Sequence, residues 1–186
     1  VSDGLSLDIM RSLVELGNEK IQPHDDAVLI IGNTGVGKST LLNHITGAEF
    51  KVEQIMVGMK IEYTLKLKNP DHSRPKIGAS LLSETSFPNK YDHEGNVYWD
   101  CPGFGDTKGY EQDIANAFYV KKLFEVPLRV KIIVVLSDDQ FAGRSKEFMA
   151  LLTKLQSFGG NFAAIKDSVS FVLTKVPKGN NLKKYR

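Results

Sequence analysis

One cysteine, Cys101, stands in 186 residues, which excludes an internal disulfide framework and any zinc site built on cysteines. That scarcity suits a reducing compartment, and the cytoplasm is the expected location. No apolar run approaches the roughly 20 residues that span a bilayer. Val1 to Met10 is amphipathic and acidic, unlike a signal peptide. Charge of one sign is also lacking: 24 Lys and Arg oppose 22 Asp and Glu, a net +2. Bulk charge therefore argues for neither nucleic acid nor an anionic membrane. The basic runs Lys121-Lys122 and Lys183-Lys184 are short and lack the interleaved aromatics of a nucleic-acid surface. The four histidines (His24, His44, His72, His93) have no metal-ligand spacing, and no G-x-S-x-G elbow occurs. An initiating Met is missing too, as expected of a piece of a longer polypeptide.

What is present is an ordinary globular composition, 41% hydrophobic, in a length that suits one domain with a real core. Leu5 to Lys20 carries Leu5, Ile9, Leu13 and Leu16 at helical spacing, and Pro23 forbids continuation. Residues 1–22 are accordingly an N-terminal amphipathic helix, ahead of the main domain over 23–186. Ala27 to Ile31 is a short apolar run ending in Gly32, as for a buried parallel strand. A helix follows, with Leu41, Leu42 and Ile45 inward and Gly47 as its stop.

Residues 48–80 are mixed, although Lys60 to Lys66 alternates like a strand. Ser83–Phe87 and Asn96–Trp99 read as strands joined by a loop over Asn89 to Gly95. Glu111–Glu125 is helical with Ile114, Ala117, Phe118 and Phe124 inward. Val130–Leu136 is an apolar strand, Ser145–Phe158 a helix, and Ser168–Thr174 the last strand. Strands alternating with helices predict a three-layer α/β fold with a mostly parallel sheet and one antiparallel hairpin strand.

Gly32-Asn33-Thr34-Gly35-Val36-Gly37-Lys38-Ser39 fits G-x-x-x-x-G-K-[ST] in full, between a strand and an amphipathic helix. A triphosphate needs closely approaching donors. The glycines allow successive N–H groups to turn inward as an anion nest, and the helix beginning near Lys38 adds its N-terminal dipole. Lys38 is expected on the β- and γ-phosphates, Ser39 on Mg²⁺, and Thr40 near the α-phosphate. The candidate nucleotide-binding residues are thus Asn33, Thr34, Gly35, Val36, Gly37, Lys38, Ser39 and Thr40.

Asn96 to Gly103 reads as a strand ending in D-x-x-G. Asp100 at its tip can hold Mg²⁺ through water, and the Gly103 N–H can sense a γ-phosphate, making the next loop a nucleotide switch. Cys101, inside the motif, serves as a small spacer. Lys38 and Gly103 are the candidate catalytic residues, Ser39 and Asp100 the candidate metal ligands.

These motifs, with Asp100-Cys101-Pro102-Gly103-Phe104-Gly105-Asp106-Thr107, resemble the septin, dynamin and immunity-associated branch of the TRAFAC GTPases. They are most similar to protozoan G-domain-containing proteins. There, a segment like Tyr98 to Phe104 precedes one like Asp113 to Phe118. The resemblance spans about residues 27–176 and implies a P-loop G domain that binds GTP or GDP with Mg²⁺.

It also carries departures. Small Ras-like GTPases place a glutamine after the D-x-x-G glycine, whereas this chain has Phe104. Slow hydrolysis is implied, or hydrolysis completed by a partner, by a G-domain dimer across the nucleotide face or within a larger assembly. The family's base-reading [NT]-K-x-D becomes Thr174-Lys175-Val176-Pro177, so Thr174 and Lys175 fit while Pro177 replaces the base-pairing aspartate. GTP against ATP stays open on the residues, as does a non-hydrolysing structural module. The first-switch threonine or serine is expected at Ser80, Ser83 or Thr85. Thr64 is the alternative if Ile61–Leu67 is the hairpin partner of Asn96–Trp99. An inserted hairpin or disordered stretch is expected before it. The chain is also expected to stop after the fifth core strand, leaving the fold incomplete at its C-terminal end.

Overall fold

The computed structural model describes residues 2–22, 26–69, 75, 87–104, 110–125, 129–139, 146–159 and 166–177. Its elements run α1 (Ser2–Lys20), β1 (Asp26–Ile31), α2 (Lys38–Ile45), β2 (Phe50–Val57), β3 (Lys60–Leu67), β4 (Asn89–His93), β5 (Asn96–Asp100) and α3 (Tyr110–Glu125). Then come β6 (Arg129–Ser137), α4 (Lys146–Gly159), a 3₁₀ turn at Lys166–Ser168 and β7 (Val169–Thr174).

Five strands form one sheet in the order β4-β5-β1-β6-β7. β1 lies between β5 and β6, parallel to both, and β7 is parallel to β6. β4 alone is antiparallel, on β5. The expected α/β architecture, mostly parallel with one antiparallel strand, is therefore the observed one. The central strands are apolar on both faces because helices cover both. One face buries Leu29, Ile31, Ile132 and Val134 with Leu123 of α3 and Leu151 of α4. The other packs Ile30 and Val135 against Leu42, with Leu41 and Ile45 beside it. Each such side chain, fully buried, contributes about 1.5–3 kcal/mol.

Two expectations need correction. The antiparallel partner of β5 is Asn89–His93, read as loop from the sequence, and the turn shrinks to Glu94-Gly95. An edge strand half in water needs no apolar alternation, so Asn89-Lys90-Tyr91-Asp92-His93 gave no strand signal. Residues 83–86 lie outside the described residues, and Phe87 is a bend rather than strand. In α3 Phe118 and Phe124 pack on the core as expected, beside the buried Ala115, Tyr119, Val120 and Leu123, whereas Ile114 is exposed. The buried stripe is broader than the sequence suggests because α3 is covered on a second side by α1. There the Tyr119 hydroxyl donates to the Leu13 carbonyl (2.7 Å), Lys122 donates to Asn18, and Gly17 lies flat against the rings of Phe118 and Tyr119.

β2 and β3 form a separate hairpin inserted between α2 and β4. The strand anticipated at Lys60–Lys66 is present, but its partner is Phe50–Val57 rather than β5.

Candidate functional site

The parallel strands β1, β5, β6 and β7 end along one edge of the sheet, at Ile31, Asp100, Ser137 and Thr174. In an open parallel sheet this carboxyl edge is where ligands bind. Gly32 to Gly37 crosses it and turns into α2. Gly37 caps that helix at φ 96°, a left-handed conformation that a β-carbon would strain. Its carbonyl accepts from Leu41 N at 2.9 Å, and no side chain caps the first turn. The N-terminal N–H groups of α2 are thereby left for an anion.

Lys38 is buried and curls back across the loop, its Nζ donating to the Asn33 carbonyl at 2.9 Å. Ser39 Oγ donates to Asp100 Oδ2 at 2.6 Å. Asp100 is 1% exposed, and its Oδ1 is buried without a hydrogen-bond partner. Burial pushes the Asp100 carboxyl above its ordinary range, against the opposing pull of the Ser39 hydrogen bond and the Lys38 charge. Burial and the nearby Asp100 also push the Tyr91 hydroxyl up to about 12. Cys101 is fully buried and its thiol is shifted upward, which makes it a spacer rather than a nucleophile.

The Cys101–Phe104 segment is laced to the phosphate loop. Cys101 N donates to the Ile30 carbonyl, Phe104 N to that of Gly32, and Thr34 N to that of Phe104, at 3.2, 3.3 and 3.4 Å. Gly103 packs on Thr34, whose hydroxyl is buried without a hydrogen-bond partner. Phe104 turns away from the loop into α4. Its ring stacks on Phe158 at 6.0 Å, and Lys154 lies over it at 4.9 Å.

Thr174 comes to the same edge. Its hydroxyl lies 2.6 Å from the Val36 carbonyl and 3.0 Å from that of Leu136, tying β7 to the phosphate loop. Lys175 follows at φ 54°, uncommon for a residue with a β-carbon, and both it and Pro177 are exposed.

The structure thus brings Asn33 to Thr40, Asp100, Gly103, Thr174 and Lys175 to one sheet edge. It does not bring Thr64 there: that residue sits in β3 opposite Glu53, because Ile61–Leu67 pairs with β2. Ser80, Ser83 and Thr85 lie outside the described residues. One residue escaped the sequence reading. Asn43, fully buried one turn beyond Ser39, donates to the Ser39 carbonyl and to that of Pro75, both at 2.8 Å. A carboxamide within the apolar stripe of α2 was the available signal.

Among the described residues no group of three or more His, Cys, Asp or Glu could hold a metal. One hydroxyl hydrogen-bonded to one buried carboxylate with a spare oxygen suits a small hard cation that keeps water and phosphate oxygens as its other ligands. That is the habit of Mg²⁺.

A Gly-rich loop feeding a helix, a strand-end carboxylate and a D-x-x-G segment on the carboxyl edge of a parallel sheet define a P-loop GTPase G domain. The chain belongs to the 50S ribosome-binding GTPase family, which it matches over residues 27–175. It is 27% identical over 111 residues to a protein of Methanococcus aeolicus named "Probable GTP-binding protein EngB". That match covers 60% of this chain and 37% of the relative's own length. A crystal structure of an engB protein is similar at 12% identity, covering 86% of this chain and 93% of that one, with a TM-score of 0.35. Toc33 from Arabidopsis thaliana, solved with Mg²⁺ and GMPPNP, is 14% identical over 96% of this chain and 82% of its own, with a TM-score of 0.32.

Proposed function

We propose that this chain binds Mg-GTP in the loop at 32–40 and hydrolyses it slowly, as a switch or assembly module. The observation that carries this is the Ser39–Asp100 hydrogen bond with the orphaned Asp100 Oδ1 beside Lys38. A buried carboxylate without a second partner is costly and persists where a ligand compensates it. Ser39, and Asp100 through water, would hold Mg²⁺, whose charge neutralises the phosphates. Lys38 leaves the Asn33 carbonyl for the β- and γ-phosphates, and inward N–H groups of the loop meet the remaining charge. The Gly103 N–H senses the γ-phosphate, and the exposed Lys175 stem covers the base while Thr174 fixes the loop beneath it.

Hydrolysis is in-line attack by water on the γ-phosphate, with Lys38 stabilising the developing charge. It is slow because Phe104 has no atom to orient that water and faces α4. The finer placement, in the septin, dynamin and immunity-associated branch near protozoan G-domain proteins, rests on Asp100 to Thr107. In this reading residues 23–186 are the G domain behind the helix at 1–22, and a G-domain dimer or assembly completes catalysis in the cytoplasm. Among the described residues no helix is long and apolar enough to cross a membrane.

The test is displacement of fluorescent GTP by unlabelled GTP and ATP, with Mg²⁺ and with chelator, in wild type and Lys38→Ala. GTP alone should displace the label, and Lys38→Ala should weaken binding about 100-fold, as for a lost charge-assisted contact. ATP competing equally would make this an ATP-binding protein, and unchanged affinity in Lys38→Ala would refute the phosphate-loop assignment. The placement of Phe104 favours a second reading, a nucleotide-stabilised structural module, which predicts no turnover even with a partner present.

A further inference from the structure

The hairpin β2–β3 is the least explained part of the molecule. Among the described residues its strands pair only with each other, so both edges are unpaired. An isolated two-stranded hairpin is marginal in water and needs a further layer. Its base is anchored, through the Phe50 ring near His44 of α2 and the Lys68–Glu49 ion pair at 3.0 Å. The distal part is not.

The register sorts its side chains. Directly paired residues project to the same face. One face takes Val52 with Leu65, Gln54 with Tyr63 and Met56 with Ile61. The other takes Lys51 with Lys66, Glu53 with Thr64, Ile55 with Glu62 and Val57 with Lys60, and is mostly ionic. On that ionic face Glu53 accepts from Lys51 at 2.7 Å and Lys66 at 2.9 Å, which holds its carboxyl down to about 2. Lys51 and Lys66 are engaged by a central carboxylate, so this face is polar where the other is apolar.

The first face is different. Val52, Met56, Ile61, Tyr63 and Leu65 are 64%, 78%, 63%, 70% and 44% exposed, and Met59 in the turn is wholly so. At side-chain areas of roughly 150–200 Å² the five present roughly 600 Å² of contiguous apolar surface, at the upper end of what a monomer leaves open. The centre of the patch is neutral, the Gln54 amide donating to the Tyr63 hydroxyl at 3.1 Å.

We infer that this face is a self-association surface, closed by the same hairpin of a second copy related by a two-fold axis. Two copies bury roughly 1,200 Å², the lower end of stable interfaces, before the Met59 turns are counted. The patch has no charge to repel its own image, and its centre offers a satisfied amide–hydroxyl pair. An isologous contact of this kind stacks two sheets face to face into a small sandwich, which supplies the layer each hairpin lacks. It is separate from the nucleotide edge and does not depend on what that edge binds.

The experiment is sedimentation velocity on the full chain from 1 to 200 µM, with and without GDP, on wild type, Lys38→Ala and Met56→Glu/Ile61→Glu. Wild type and Lys38→Ala should dimerise alike, and the double variant should self-associate at least 30-fold more weakly while its circular dichroism stays unchanged. Gln54→Cys should cross-link to itself through a short bis-maleimide, whereas Lys51→Cys, on the ionic face, should not; the native Cys101 is buried and does not compete. A wild type monomeric at 200 µM overturns the inference. So does dimerisation undisturbed in the double variant, or lost in Lys38→Ala, which would move the contact to the nucleotide edge. Sedimentation of monomeric chain with phosphatidylcholine–phosphatidylserine vesicles, abolished in the double variant, would overturn it in favour of a lipid surface.

Discussion

Gly103 lies against Thr34 so closely that a β-carbon on it would stand 2.8 Å from both the backbone nitrogen and the Cα of Thr34. Those are backbone atoms and cannot swing aside. Contact between the D-x-x-G glycine and the phosphate loop is therefore a steric requirement of this chain.

Gly103→Ala is expected to peel the Cys101–Phe104 segment from the loop and to cost about 1–3 kcal/mol, the usual range for overpacking. Hydrogen exchange should show lost protection at the Thr34 and Phe104 amides. If Gly103 senses a γ-phosphate, the variant should also bind GTP and GDP with equal affinity in a fluorescence titration. Retained preference for GTP would assign that sensing elsewhere.

Asp100 yields a prediction in pH. Its folded-state carboxyl titrates above its unfolded value, because burial outweighs Ser39 and Lys38. Below the ordinary carboxylate range both states are protonated and nothing is lost. Between that range and the raised value the unfolded chain ionises while the folded carboxyl keeps its proton, so stability falls across this window and the loss is complete above the raised value. Urea denaturation in chelator should show Asp100→Asn gaining on wild type as pH rises. Mg²⁺ with nucleotide should reverse the order, and parallel pH curves would contradict this.

Thr174→Val keeps shape and removes the hydroxyl that serves the Val36 and Leu136 carbonyls. A loss of about 1–2 kcal/mol is expected. Nucleotide affinity should fall with it, since the loop loses its tether to β7. Thr174→Ser should restore both in calorimetric melting and binding.

At Gly17 two effects compete. Alanine favours a helix by about 1 kcal/mol over glycine. Its β-carbon, however, would meet the Tyr119 ring at 2.7 and 2.8 Å. That ring is fully buried, edge-on to Phe87 at 4.6 Å and hydrogen-bonded to Leu13, so it cannot retreat. Crowding should win, leaving Gly17→Ala less stable than wild type by denaturation. Tyr119→Leu should remove most of that penalty in a double-mutant cycle.

The legibility of the sequence follows burial. β1, the phosphate loop, α2 and Asp100 could be read because apolar runs and a chemically constrained glycine pattern leave little choice. β4 could not, since a wet edge strand carries no alternation. β2 could not either: Glu53 and Gln54 interrupt its apolar residues, and its partner becomes evident only through the register with β3. The full width of the α3 stripe needed knowledge of α1, which packs on it from far upstream. The fold of Lys38 back onto Asn33 and the turn of Phe104 into α4 are tertiary facts. No spacing announces them.

The central strand has a consequence for assembly in time. Val28 pairs with Tyr98 and Asp26 with Arg129, so β1 waits for chain made long after it. Among the described strands the hairpins at 50–67 and 89–100 can form from neighbouring residues, whereas the pairings of β1, β6 and β7 are non-local and make for slow folding. During synthesis the phosphate loop emerges early but gains its flanking walls only once Ser137 and Thr174 are in place. Nucleotide capture thus becomes a late event in the birth of the molecule, after its apolar hairpin has already been shown to the cell.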